Sequence, residues 1–577
     1  MNSAHSIPLV LRYLRPHRAR LILTATALLV ATALQLVAPQ ILRGFIDGAR
    51  EGWPLAQLLS SAALFLGATV LAQLLSATSA YLGSVIGWTA TNELRADLLA
   101  HVLHLDMRFH KERTPGELIE RIDGDVTALS NLFSQLLVKI LGSALLLVGI
   151  LVLLWHENVW IGLGVTLFAA VAAAVLAHTR DAAVPATRLE RETSAQMYGF
   201  LEERLAGIDD LRANGGGGYV MRRFTEIQRR FFFAGRRAWW QRANLWVFTM
   251  GLFAIGYLIT LGLSIHLFVA GSITLGTAYL FFQYVGMLES PIDQLVQQMQ
   301  ELQKARASLA RVSELLQERS ALPGGTLELP AGPLELSFED VQFGYGAQPV
   351  LSDLNFRLEP GRTLGLLGRT GGGKTTLTRL VQRLHDPTAG TVRLGGLPLT
   401  AVRLASLRAR VGVVTQDVQI FRASLRDNLT LFDASVADAR LEAVLDELGM
   451  TDWLRALPEG LNTPLGGGEL SAGEAQLIAL ARVFLGDPGL VILDEFSSRL
   501  DPATEARLER AVARLLTGRS AIIIAHRLET VARADDLLVL GDGRMLEFGP
   551  RSVLERDPGS HYSALRAAHA APALEAV

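Results

Sequence analysis

There is no cysteine in the 577 residues. That removes disulfides, thiolate metal sites and a cysteine nucleophile, and says nothing about compartment. Charge is scarce as well, with 19% of residues charged against 50% hydrophobic. A mean hydropathy of +0.30 is high for a soluble enzyme. Neither sign dominates: the net charge is −2 and the pI about 6.7, so no nucleic acid is indicated as a partner. No small-residue cleavage site follows Arg12, Arg15, Arg18 and Arg20, which read as the cytoplasmic flank of a retained helix and not as a signal peptide. Internal repeats are missing, and no low-complexity tract exceeds Gly215–Gly218.

What is present divides the chain in two. Apolar runs crowd the first half, at about 20–43, 56–87, 130–155, 158–179, 244–269 and 273–297. Each is long enough for the roughly 20 residues a spanning helix needs. Short connections alternate with long, charged, helix-patterned ones over 88–129 and 180–243. Arg95, Arg108, Lys111, Arg113, Arg121 and the series Arg222, Arg223, Arg229, Arg230, Arg236, Arg237 lie in the long connections. By the positive-inside tendency these loops and both termini face the cytoplasm, as in a multi-pass protein of the plasma (inner) membrane. Thr114-Pro115-Gly116 and Asn214–Gly218 are breakers where the loops turn. No metal-ligand cluster marks the membrane half, but Glu289 and Asp293 fall in the sixth run beside Pro291. Carboxylates there are costly unless they face a cavity or a partner.

Residues 298–318 continue the sixth helix, and Pro323 to Pro333 reads as a linker. The expected division is a transmembrane domain over 1–320, a linker over 321–333 and a nucleotide-binding domain over 334–577. In the last, short apolar strands alternate with charged helices, which predicts an α/β fold with a largely parallel sheet. The fold class is thus a six-helix membrane domain with long helical extensions, followed by an α/β domain.

The second half is organised around Gly368-Arg369-Thr370-Gly371-Gly372-Gly373-Lys374-Thr375-Thr376, which fits the phosphate-binding loop. A strand ends at its start and a helix begins at its end, as the mechanism requires. The glycines let backbone N–H groups wrap a triphosphate at a helix N-terminus. Lys374 reaches the β- and γ-phosphates and Thr375 offers its hydroxyl to Mg²⁺, so ATP and Mg²⁺ are the expected cofactors. Downstream, Leu490–Leu493 is an apolar run ending in Asp494 and Glu495. Asp494 suits a water-bridged contact to the metal, and Glu495 suits polarisation of the attacking water. His526 closes another strand, where it fits a γ-phosphate sensor.

Leu470-Ser471-Ala472-Gly473-Glu474-Ala475-Gln476 resembles the signature of ABC transporters, usually L-S-G-G-Q-x-Q. The order of phosphate loop, Gln416, signature, Asp494-Glu495, Asp501 and His526 is similar to that family throughout. Over about residues 10–560 the chain resembles a half-size exporter of the type IV transmembrane fold. The resemblance implies that Tyr345 stacks on adenine, that Gln416 joins the metal site to the membrane helices, and that Asp501 is the aspartate after the catalytic carboxylates. It also implies a dimer in which each ATP lies between one chain's loop and the other's signature, and export by alternating access. Ala472 and Glu474 depart from the pattern while Lys374, Asp494, Glu495 and His526 conform, a split that favours one half of a heterodimer over a homodimer. The expected cargo is an amphipathic or lipid-like small molecule. Import on the same fold stays open; a soluble ATPase in DNA maintenance is opposed by the apolar runs and the lack of a basic patch.

Overall fold

The structure, a computed structural model, describes residues 11–180, 184–346, 348–466, 470–494, 502–525 and 528–570. It forms two compact units. One comprises 1–104 and 113–318, the other 105–112 and 319–577.

The first unit is helical. By length and composition five of its stretches suffice to cross a membrane: Leu11–Glu51, Leu55–His104, Pro115–Glu157, Val159–Ala206 and Gly217–Val269. The sixth expected span is also continuous, Leu275–Gln317, and runs through Pro291. Gln283, Glu289, Asp293 and Gln294 dilute its apolar run, so composition does not mark it as a span among the described residues. The sixth expected helix is therefore present, and it is more polar than the other five. The loop breakers act as their chemistry predicts: Thr114 caps the helix Pro115–Ile119 by accepting from the Glu117 N–H, and the helix Ile208–Ala213 stops just before the glycine run.

Inside this unit the apolar core gathers Ile150, Leu154, Phe253, Leu280, Phe281 and Leu288. Fully buried Tyr284 keeps its hydroxyl satisfied, donating to the Leu36 carbonyl at 2.8 Å and accepting from Gln40 at 3.2 Å. Buried Asp125 is held by Arg311, whose Nε donates to it at 2.8 Å. Elsewhere apolar residues point outward, among them Leu64, Leu66, Leu167 and Leu258, as lipid contact requires.

The second unit contains a six-stranded sheet. Its order is Arg544–Pro550, Asp536–Gly541, Thr363–Gly368, Ser520–Ile524, Leu490–Asp494, Val411–Val414, parallel except for the first strand. Both faces are covered, as parallel sheets demand. Leu364, Leu366, Ile492, Ile522 and Ile524 face one apolar layer; Val491, Leu493, Ala521 and Ile523 face the other. The first layer is closed by a four-stranded antiparallel sheet, Gln348–Leu358, Leu336–Tyr345, Ala389–Leu394 and Leu397–Pro398. That sheet is an addition to the expected α/β pattern. Helices pack on the second layer through Leu441, Val444, Leu445, Leu477, Ile478 and Leu508.

The short segment 105–112 belongs to this unit although it lies early in the chain. Asp106 explains why. Its carboxylate accepts from the N–H groups of Arg108 and Phe109, starting the helix Met107–Glu112, and from the N–H of Ala321 and the Ser320 hydroxyl. Burial alone would raise its pKa, but these donors outweigh that and hold it below the usual carboxylate value.

Candidate ATP site

The register of the parallel sheet assembles the site. Ile524 stands level with Leu366 on one side and with Asp494 on the other. Val414 stands level with Leu493. The phosphate loop, Asp494 and the Thr415–Gln416 turn therefore emerge at one edge, the carboxyl ends of the strands, where ligands bind in open α/β sheets. Asp494 is half-buried there. Glu495, Asp501 and His526 lie outside the described residues.

The phosphate loop has the backbone a phosphate cradle needs. Gly368, Gly371 and Gly373 have φ of 151°, 82° and 98°, the region open to glycine. A Cβ on Gly368 would meet the Leu540 carbonyl at 2.4 Å, and one on Gly373 would meet Leu351 at 2.5 Å. Only glycine fits, so the loop's shape suits a triphosphate. Lys374 is buried at 6% exposure, and its ammonium donates to the carbonyls of Gly368 and Arg369 at 2.7 and 3.0 Å, bent over the loop. The helix Lys374–Val381 begins here with no side-chain cap. Arg369, Thr370 and Thr375 are exposed, whereas Gly372 and Thr376 are buried.

At the signature, Ser471 caps the helix Ala472–Gly486, accepting from the Glu474 N–H. Glu474 reaches back: its carboxylate accepts from the Ser471 N–H at 2.7 Å and hydroxyl at 2.8 Å, completing a capping box. Its other oxygen accepts from the Trp453 indole at 2.7 Å. Burial would raise the Glu474 pKa, but those three donors hold it low. The carboxylate is thus turned onto its own helix start. Ala472 is exposed and Gly473 buried. Gln476, further along the helix, donates to the Gln416 carbonyl at 2.9 Å and ties the signature helix to the Gln416 turn.

Tyr345 ends its strand half-buried, its hydroxyl accepting from Arg379 at 3.1 Å. Burial would raise its pKa; Arg379, Thr376 and the Lys111 charge lower it on balance. Nothing in the sequence marks Lys111, Arg379 or Trp453, since each meets its partner only through the fold. In the membrane unit, Glu289 and Asp293 do line one cavity, of about 520 Å³, together with Arg242, Trp246 and Thr249. Arg242 is already paired with Glu190 at 2.9 Å.

This architecture, a helical membrane unit followed by a nucleotide-loop unit with a signature helix, is that of an ABC transporter half. Residues 21–292 match the ABC transporter transmembrane region and 351–498 the ABC transporter domain. The fatty acid ABC transporter ATP-binding/permease protein of Mycobacterium bovis is 31% identical over 489 residues, covering 82% of this chain and 76% of the relative. The ATP-dependent lipid A-core flippase of Cupriavidus metallidurans is 29% identical over 559 residues, covering 94% and 92%. A solved bacterial Atm1-family ABC exporter with ATP bound superposes with a TM-score of 0.81 at 24% identity, covering 97% of this chain and 99% of that one. The chain belongs to the ABC transporter family. It has the exporter-type fold and is an integral membrane ATPase coupled to transport.

Proposed function

We propose that this chain is one half of an ATP-driven exporter in the plasma (inner) membrane, its nucleotide-binding half and termini cytoplasmic, paired with a different but similar chain. ATP is held between this chain's phosphate loop and the partner's signature. Gly368 to Thr376 cradle the phosphates, Tyr345 takes the adenine, and Thr375, Gln416 and Asp494 surround Mg²⁺. Glu495 polarises the water and His526 contacts the γ-phosphate. Asp501 and the signature residues Ser471, Ala472, Gly473 and Glu474 line the site shared with the partner. Closure and release of the ATP domains drive alternating access as a shift between two populations.

The observation that carries the asymmetric pair is the Glu474 carboxylate closed onto the Ser471 N–H. A signature whose helix start is occupied by its own anion is a poor seat for a second anion. The partner's loop then meets the slow site, and this chain's Lys374 and Glu495 form the competent one. An amphipathic or lipid-like cargo is supported by the fatty acid and lipid A-core names of the relatives. It is supported too by the mixed polar and apolar lining of the 520 Å³ cavity.

The test is composition. The tagged chain is purified from its native host in mild detergent and the assembly weighed. A second polypeptide of similar size at equal stoichiometry is expected; a vigorous ATPase containing only this chain would sink the pair.

A further inference from the structure

Lys111 places its ammonium 4.1 Å from the centre of the Tyr345 ring. It does so from the helix Met107–Glu112, a segment separated from Tyr345 by more than two hundred residues of sequence. A cation over a tyrosine face is attracted by the ring's quadrupole. Stacking with a purine uses that same face. Lys111 and Tyr345 line one cavity of about 670 Å³, whose other walls include Asp106, Phe343, Leu384 and His385. That size lies within the roughly 300–1,000 Å³ of ordinary small-molecule sites. Phe343 and His385 crowd the ring at near right angles, with centroids 5.0 and 5.4 Å away. Burial, then the charges of Lys111 and Arg379, hold the His385 pKa below its ordinary value, so a neutral imidazole stands beside the ammonium at physiological pH.

We infer that Lys111 is a displaceable cap on the adenine platform: the base and the Lys111 ammonium exclude one another at the Tyr345 ring, so ATP binding releases this end of the first cytoplasmic loop. The inference rests on the reading of Tyr345 as the adenine contact. The exchange is near balance, because a partly exposed cation–π contact and one aromatic stack are of similar strength. Linkage makes it reciprocal: whatever factor Lys111 takes from ATP affinity, ATP takes from the docking of Lys111. Asp106, five residues earlier, keeps the segment's start fastened to Ala321, so the release is local to the Lys111 end.

The test titrates ATP without Mg²⁺, so that nothing turns over, into the whole assembly purified in detergent. The site built on this chain is the one that Lys374→Ala weakens. Lys111→Ala should tighten ATP at that site about two- to fivefold, although it deletes a cation that ought to attract phosphate. Lys111→Arg, which keeps a cation over the ring, should stay close to the unaltered protein. In a Tyr345→Ala background Lys111→Ala should give no gain. Tripolyphosphate, which has no base, should bind no more tightly to Lys111→Ala. Trypsin supplies an independent readout, since ATP but not tripolyphosphate should speed cleavage after Lys111. Unchanged or weakened ATP binding in Lys111→Ala, or protection of Lys111 by ATP, overturns the inference. If Lys374→Ala weakens no site at all, the ATP-site reading fails instead, so the two failures are distinguishable.

Discussion

The helix starting at Lys374 and the helix starting at Ala472 begin in opposite ways, one without a side-chain cap and one with a complete capping box. At Lys374 the preceding residue is a glycine at φ 98° with no side chain to cap the turn. At Ala472 the preceding Ser471 caps the helix, and Glu474 closes the box behind it. Every helix begins with N–H groups that need acceptors from elsewhere. The first has no side-chain cap to supply one; the second has a hydroxyl and a carboxylate of its own. The contrast shows that a signature can keep its shape, a serine-capped helix with a buried glycine, while a negative charge is added at its helix start.

The strongest way to sharpen that comparison is to disable hydrolysis on the side of the open helix. Glu495→Gln in this chain should keep ATP binding and lower turnover of the assembly by about 100-fold or more, since a positioned base contributes that much. Steady-state phosphate release measures it, and turnover near that of the unaltered protein would remove Glu495 from the role. Lys374→Ala comes next. Loss of a charge-assisted contact to phosphate should weaken ATP at this chain's own loop by about tenfold or more, read by equilibrium titration.

How much of this was legible beforehand follows from how local each signal is. The phosphate loop is contiguous, and its glycines announce positive φ angles, so residues 368–376 could be read directly. The parallel strands are continuous apolar runs, and they too were visible. The antiparallel sheet was not, because Leu336–Tyr345 is broken by bulges near Asp340, at φ 50°, that spoil simple alternation. The Glu474 carboxylate could be suspected but not aimed, since its direction depends on Trp453, 21 residues away. The sixth membrane helix is legible in length, and its carboxylates are legible too, but not what they face. It is the helix that carries carboxylates into a cavity, and its polarity is the cost of that lining.

Smaller effects refine the contrast. With Lys111 already replaced by Ala, so that no cation competes for the ring, Tyr345→Ala should weaken ATP by about 1 kcal/mol, from lost aromatic contact, without altering the chemistry. A loss of thermal stability with unchanged affinity in that background would make Tyr345 a strand residue only. The smallest effect concerns the closed helix start. The folded-state pKa of Glu474 lies below its ordinary value of 4.5. Its stabilisation is therefore present above that value and lost as pH falls through the lower, folded one. Glutamine can still form the box but does not titrate. Melting temperatures from about pH 6 to pH 3 should accordingly fall slightly less for Glu474→Gln than for the unaltered protein, the difference corresponding to under about 1 kcal/mol of stability in a pair so open to water. Parallel curves would mean that the charge is not felt by the folded state.

The fastening of Asp106 to Ala321 has a consequence for how the chain is made. The two residues are 215 apart in sequence. At about 5–20 residues per second, a ribosome needs roughly ten to forty seconds to cover that distance. Throughout that interval the segment carrying Asp106 has been made while the surface that receives it does not yet exist. The nucleotide-binding half is consequently finished by a piece synthesised long before it, and a ribosome stalled before residue 321 leaves a nascent chain whose first loop has nothing to hold. The Asp106 carboxylate therefore makes completion of the ATP-binding unit wait for Ala321 to be synthesised.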